Sequence, residues 1–256
     1  MRGVLLHGFT GDPANWDDVV GNAAGRHDDA AGGAPDPGLG LANEIAIAID
    51  HIALPGHLGG GPVAPSWDEN LAAIAARIGR CDVAIGYSLG ARVALGLVAA
   101  GHVPRGILIS VNPGIPDAER PARRAGDATW AELLRRRGTA AFLDAWQAQP
   151  LFASQARAPA DRRAARHDRR RALDPEQLAR SLETMGLAEM PDYRAAIDGR
   201  VALIAGAEDA KFVAIARALP VPLELIAASG HDPTLEQPAA LRLALRAALD
   251  RLREIH

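Results

Sequence analysis

The 256-residue chain has one cysteine, Cys81, and one lysine, Lys211. A lone cysteine cannot close an internal disulfide, and the chain opens on MRGVLLHGF without a signal-peptide pattern, so a reducing cytoplasm is the expected compartment. No apolar run is long enough to span a bilayer. A formal net charge of −3 excludes a strong global attraction to nucleic acid or to an anionic membrane, which leaves a small molecule as the expected partner. The scarcity of lysine beside many arginines and alanines reads as genome composition. There is no internal repeat, and the length suits one α/β domain carrying an insertion better than two independent domains.

What the chain does have is a series of short apolar runs: Val4 to Leu6, Ile45 to Ile52, Val83 to Ile85, Ile107 to Val111, Val201 to Ala205 and Pro222 to Ala227. Runs of this length and continuity predict strands of a parallel sheet buried on both faces. Helical periodicity lies between them, over Trp67 to Ile78, Ala91 to Ala100, Phe212 to Leu219 and Pro238 to Ile255. The alternation defines an α/β class. It fails between Asn112 and Gly199, where helix formers and scattered prolines replace strands. Residues 1–112 and 199–256 are therefore expected to form the core, and residues 113–198 a helical cap with segments near Ala128 to Arg137, Thr139 to Gln147, Pro159 to Arg171 and Pro175 to Met185. Gly21 to Asn43, rich in Gly, Ala, Asp and Pro, is expected to be a mobile surface loop.

Gly86-Tyr87-Ser88-Leu89-Gly90 stands between a strand-like run and a helix-like one, the context of a nucleophile elbow. A serine hydroxyl is a poor base or nucleophile alone. It needs an imidazole to take its proton and a carboxylate to orient that imidazole. His231, in AASGHDP after a strand, is the leading base, since loops at strand carboxyl ends are where α/β sheets place their ligands. Asp209, just past VALIAG, is the leading acid, with Glu208 and Asp232 as competitors. The oxyanion hole is expected from the amide of Leu89 and from a second in His7-Gly8-Phe9-Thr10-Gly11, with Phe9 as the choice and His7 as a structural brace.

With these residues in place the chain resembles α/β-hydrolase-fold proteins, and within them the 2-succinyl-6-hydroxy-2,4-cyclohexadiene-1-carboxylate synthases of menaquinone biosynthesis. The matching segments span nearly the whole chain: LLHGFTGDPANW, LPGH, GYSLGARVAL, NPGI, WQAQPLFAS, SLETMGLAEMPDY, EDAKF and SGHDPTLEQP. The resemblance implies a mostly parallel sheet flanked by helices. It implies a lyase that eliminates pyruvate from 2-succinyl-5-enolpyruvyl-6-hydroxy-3-cyclohexene-1-carboxylate, with no metal or organic cofactor. Ser88, activated by His231, would abstract a ring proton without forming an acyl-enzyme.

The same resemblance implies that Arg92, Arg123 and Arg170 meet the substrate's carboxylates and that Tyr87 and Trp146 line the pocket. Arg124 and Arg171 leave the register of the two cap arginines open by one, and core packing is the competing role for Trp146. Guanidinium forks suit carboxylates because they donate two parallel charge-assisted hydrogen bonds. Three features depart from the pattern. The chain starts at what would be the third strand of the full fold, so either the usual first strands are absent or the chain's start is placed too late; Gly21 to Asn43 is long; and Leu58 follows His57 where glycine is usual. A serine hydrolase of small acidic esters or thioesters is the alternative activity, and a ligand-binding fold relative without turnover is a third reading. A monomer or small homo-oligomer is expected.

Overall fold

Three of the six apolar runs become strands with every residue buried, and a fourth is buried except at its first residue, Arg2, because both faces of the sheet are covered by helices. A computed structural model describes residues 1–21 and 47–254. The loop expected over Gly21 to Asn43, apart from Gly21 itself, and the beginning of the second apolar run lie outside these residues. The strands are β1 (Arg2–Leu6), β2 (Ala48–Ile52), β3 (Val83–Tyr87), β4 (Gly106–Ile109), β5 (Val201–Gly206) and β6 (Leu223–Ile226). They form one sheet in the order β2-β1-β3-β4-β5-β6, and every pair is parallel. Half-exposed residues collect on β2 and β6, the two edges.

The helices are α1 (Asp17–Val20), α2 (Trp67–Ile78), α3 (Leu89–Ala99), α4 (Arg120–Gln147), α5 (Ala160–Arg171), α6 (Pro175–Thr184), α7 (Ala210–Arg217), α8 (Pro233–Glu236) and α9 (Pro238–Glu254). Strand periodicity divides the core by face. Val4, Leu6, Ala84 and Leu108 pack against α2 and α3, while Leu5, Ile85, Ile107 and Ile204 pack against Trp16 and the Leu241, Leu245, Ala248, Leu252 stripe of α9. Among the described residues no helix is long and apolar enough to cross a membrane.

Several boundaries differ from those expected, for identifiable reasons. β4 stops at Ile109, short of Val111, because Ser110 takes a left-handed φ of 52° that no strand continues. α3 begins at Leu89, directly out of the elbow. α4 starts eight residues before Ala128, with Pro121 in its first turn, and Gly138 at φ 74° breaks it where the sequence separates two segments. A 3-10 stretch, Pro150–Arg157, occupies a region with no expected element.

Between β4 and β5 the described chain contains helices only. This insertion has a small core of its own, in which Leu134, Phe142, Leu143 and Leu178 are fully buried. Each such side chain contributes about 1.5–3 kcal/mol. Its contact with the sheet's loops is charged. Arg162, Arg166 and Arg169 lie at spacings of four and three on one face of α5 and pair with Asp18, Asp232 and Asp12 at 2.8, 2.5 and 2.8 Å.

Candidate active site

Ser88 follows β3 and caps α3 with φ 52° and ψ −108°, a backbone strain held by its surroundings. The flanking glycines permit the turn by close approach. A Cβ on Gly86 would stand 2.1 Å from the Gly90 carbonyl oxygen, and a Cβ on Gly90 would stand 2.1 Å from that of Leu6. The turn presents Ser88 Oγ to His231, whose Nε2 lies 3.2 Å away, while His231 Nδ1 lies 2.7 Å from Asp209 Oδ2. A carboxylate accepts only, so Nδ1 carries the hydrogen and Nε2 offers its lone pair to the serine hydroxyl.

Asp209 is buried, and its other oxygen accepts the Phe212 amide at 3.2 Å, capping α7. This double use fixes the carboxylate and sets the start of α7 two residues before the expected Phe212. The competing acids are engaged elsewhere: Glu208 pairs with Arg157 at the surface, and Asp232 with buried Arg166.

The histidine loop is braced on several sides. Glu236 accepts the amides of Gly230 and Asp232 at 2.8 and 3.2 Å, and Ser110 Oγ donates to the His231 carbonyl at 3.0 Å. The Phe212 ring lies 4.4 Å from the imidazole centroid and Tyr87 5.5 Å. Glu236 belongs to the segment SGHDPTLEQP, but nothing in the sequence marked it as a brace.

The glycine turn after β1 is held by two buried histidines. His7 Nε2 accepts the Leu54 amide at 3.0 Å and His57 Nε2 accepts the Thr10 amide at 3.1 Å, while each Nδ1 donates to a backbone carbonyl, Gly8 at 2.8 Å and Pro55 at 3.0 Å. Burial pushes His7 down to about 4 and His57 down to about 3, the latter helped by the neighbouring His7, so both rings are neutral near pH 7. Phe9 and Leu89 both border the space above Ser88, and Leu89, as the first residue of α3, has an amide with no intrahelical acceptor.

That space is a cavity of about 340 Å³ between the sheet's strand ends and the insertion. Phe9, Tyr87, Ser88, Leu89, Arg92, Arg123, Trp146, Arg170 and His231 line it, while Asp209 stands behind His231. Of each adjacent pair of insertion arginines, one lines the cavity and the other does not. Arg123 and Arg170 face the cavity, whereas Arg124 pairs with Glu189 on the outer surface and Arg171 is exposed. Trp146 both lines the cavity and packs, stacked 5.3 Å from Phe142 and 5.3 Å from Phe9 at an angle.

The cavity is cationic. Arg92 donates to the Met185 carbonyl at 2.8 Å, and burial and then Arg123 push its pKa down to about 9. Arg170 is 8 % exposed and its side chain makes no ion pair or hydrogen bond among the described residues; burial and then Arg166 push it down to about 10. Only Arg123 is neutralised, by Asp127 at 2.8 Å. Lys211 completes the lining, its ammonium 5.8 Å from the Phe212 ring. Sequence reasoning did not place Lys211 in the site, although a sole lysine two residues after the acid, inside EDAKF, was a usable signal.

Residues 4–244 match the Alpha/beta hydrolase family. The chain is 32% identical over 249 residues to the 2-succinyl-6-hydroxy-2,4-cyclohexadiene-1-carboxylate synthase of Klebsiella pneumoniae subsp. pneumoniae, covering 93% of this chain and 89% of that protein. It is 30% identical over 262 residues to the synthase of the same name from Escherichia coli O1:K1, covering 94% and 91%. In structure it is similar to MenH from S. aureus, with a TM-score of 0.83 at 24% identity over 99% of this chain and 95% of that one. It is also similar to a thermophilic esterase from Thermogutta terrifontis, with a TM-score of 0.73 at 20% identity over 98% and 90%. The chain thus belongs to the alpha/beta hydrolase family, and its curated relatives include 2-succinyl-6-hydroxy-2,4-cyclohexadiene-1-carboxylate synthases.

Proposed function

We propose that this protein is a carbon–oxygen lyase that eliminates pyruvate from 2-succinyl-5-enolpyruvyl-6-hydroxy-3-cyclohexene-1-carboxylate, the reaction implied by the name its relatives carry. The observation that carries the reading is the convergence of Arg92, Arg170 and Lys211, none paired with a carboxylate among the described residues, on a cavity whose floor is the Ser88 and His231 pair. A neutral ester requires no such cations. A substrate with carboxylates on its ring, succinyl and enolpyruvyl groups does, since buried guanidinium groups bind carboxylates through charge-assisted hydrogen bonds.

The chemistry follows from the substrate. Its ring hydrogen at C2 is acidified by the adjacent succinyl ketone. Ser88 Oγ, with His231 drawing off its own proton and Asp209 stabilising the resulting imidazolium, removes that hydrogen as a proton. The C–H electron pair forms the C2–C3 double bond, the ring alkene shifts to C4–C5, and the C5–O pair departs on the enolpyruvyl oxygen. That oxygen takes a proton and tautomerises to pyruvate. Negative charge developing on the succinyl oxygen is met by the amides of Phe9 and Leu89. Arg92, Arg123 and Arg170 bind the carboxylates, with Tyr87 and Trp146 shaping the walls. The step consumes no cofactor, and the reading places the protein in the cytoplasm as a monomer or small homo-oligomer without nucleic-acid or membrane partners.

The purified protein should be offered the enolpyruvyl substrate and a panel of p-nitrophenyl esters in parallel. Pyruvate release far exceeding ester cleavage is expected. Preference for the esters would transfer the assignment to a serine hydrolase of small acidic substrates.

A further inference from the structure

Arg166 and Asp232 form an ion pair that the proposed reaction does not use. Their side chains are 5 % and 0 % exposed, with Nη1 and Oδ2 2.5 Å apart. The other Arg166 nitrogen reaches Thr234 Oγ1 at 3.2 Å and the Asn15 carbonyl at 3.5 Å. Asp232 also accepts from Thr234 Oγ1 at 2.5 Å and the Leu235 amide at 3.2 Å, both on Oδ1, so both of its oxygens are engaged and Arg166 is the cation on Oδ2. One helical turn along α5, Arg170 is buried yet unpaired, its Nε without any acceptor among the described residues. Arg170 lines the site cavity and also a neighbouring groove that Arg166 lines. Asp232 stands close enough to act electrostatically on Arg170 and on Tyr87.

A buried, unpaired guanidinium next to a buried carboxylate is an unstable arrangement unless that carboxylate is already occupied. We infer that Arg166 is a positioning residue: by pairing with Asp232 it neutralises that carboxylate and keeps Arg170 from collapsing onto it, and so holds Arg170 free to receive a carboxylate of the ligand. Residue 232 follows His231 directly, so the same pair ties α5 to the histidine loop and holds the anion site and the base at one spacing. This rests on Arg170 being an anion-binding group, as the proposed function has it. It does not depend on which anionic compound is turned over.

The mechanism makes a rescue prediction that simple structural support does not. Arg166→Met leaves Asp232 unpaired, and Arg170 turns to it. The KM for the enolpyruvyl substrate is then expected to rise about tenfold or more, as for loss of a charge-assisted contact, with kcat changing less. Adding Asp232→Asn removes the competing carboxylate, keeps the amide cap on α8, and should return KM to within about threefold of wild type. Arg166→Lys, which keeps a cation at Asp232, should bind like wild type. Arg166→Gln replaces the methionine variant if that protein does not fold.

A second measurement uses citrate as a probe, with binding to the same variants followed calorimetrically without turnover. Citrate should bind wild type and the double variant alike, and Arg166→Met as weakly as Arg170→Met. A double variant that stays as weak as Arg166→Met, or a wild type that binds citrate no better than Arg170→Met, overturns the inference. Failure to turn over the enolpyruvyl substrate while the citrate series holds counts against the proposed reaction alone.

Discussion

The strands meet their flanking helices through apolar contact, with Leu5, Ile85 and Ile107 fully buried, whereas the helical insertion meets the sheet's loops through arginine and carboxylate. The division follows the work of each region. Ser88, His231 and Asp209 come from strand ends set in a close-packed layer, where positions are held to fractions of an ångström. Arg123 and Arg170 come from a layer built over that one, docked by polar contacts whose strength depends on pairing and burial. In this reading reactivity belongs to the sheet, while recognition is shared between Arg92 and Lys211 of the core and Arg123 and Arg170 of the insertion.

The comparison predicts losses of different kinds from the two regions. The largest is expected from Ser88→Ala, which leaves the apolar layer intact. Steady-state assay should show kcat down about 10²–10⁴-fold with an unchanged melting transition. A wild-type rate would remove the serine from the mechanism. Acidification comes next and acts through the core. His7 and His57 are held neutral in the fold but gain protons when unfolded, so the unfolded state binds more protons below pH 6.5. Their contribution is complete above pH 6.5 and is lost as the pH falls toward about 4 for His7 and about 3 for His57. Urea unfolding across this range should show stability falling by up to about 1.4 kcal/mol per pH unit for each histidine, and His7→Gln should flatten the slope.

Gly90→Ala tests the close approach beneath the elbow. Its new Cβ would meet the Leu6 carbonyl at 2.1 Å, and a loss of about 3 kcal/mol is expected in the same unfolding assay. The smallest effect separates two adjacent insertion residues. Arg123→Ala should raise KM about tenfold, while Arg124→Ala, whose side chain is 56% exposed beside Glu189, should leave KM and kcat within about twofold. Equal effects from the two would blur the division between regions.

Most of the sheet was legible because its signals are local. Continuous apolar runs such as VALIAG mark buried parallel strands, and GYSLG between strand and helix marks a turn whose glycines have a steric reason. The strand ends were harder to read, as at Ser110, where one left-handed residue stops a run that composition would continue. The insertion was legible as a strand-free run of helical segments, but not in where its first helix starts or which faces turn inward. Its long helix carries apolar residues too sparsely to announce a face, and its first residue, Arg120, donates to the Ala188 and Met190 carbonyls far along the chain, which no local signal shows. The Asp232 partnership with Arg166 was invisible because the two lie 66 residues apart, whereas Glu236 is close in sequence to the amides it accepts and was missed because no local pattern marks a carboxylate that folds back onto its own loop.

Chain order and local pattern were enough to specify a parallel α/β sheet, a strained serine between glycines, and the histidine and acid to look for after it. These follow from nearest neighbours along the backbone, whose sterics and periodicity act before any long-range contact forms. Which acid met the imidazole, which of two adjacent arginines turned inward, and which cations stayed unpaired could be known only from the folded arrangement. A guanidinium's role is set by whether a carboxylate from elsewhere in the chain reaches it first, and that is a property of three-dimensional proximity and burial.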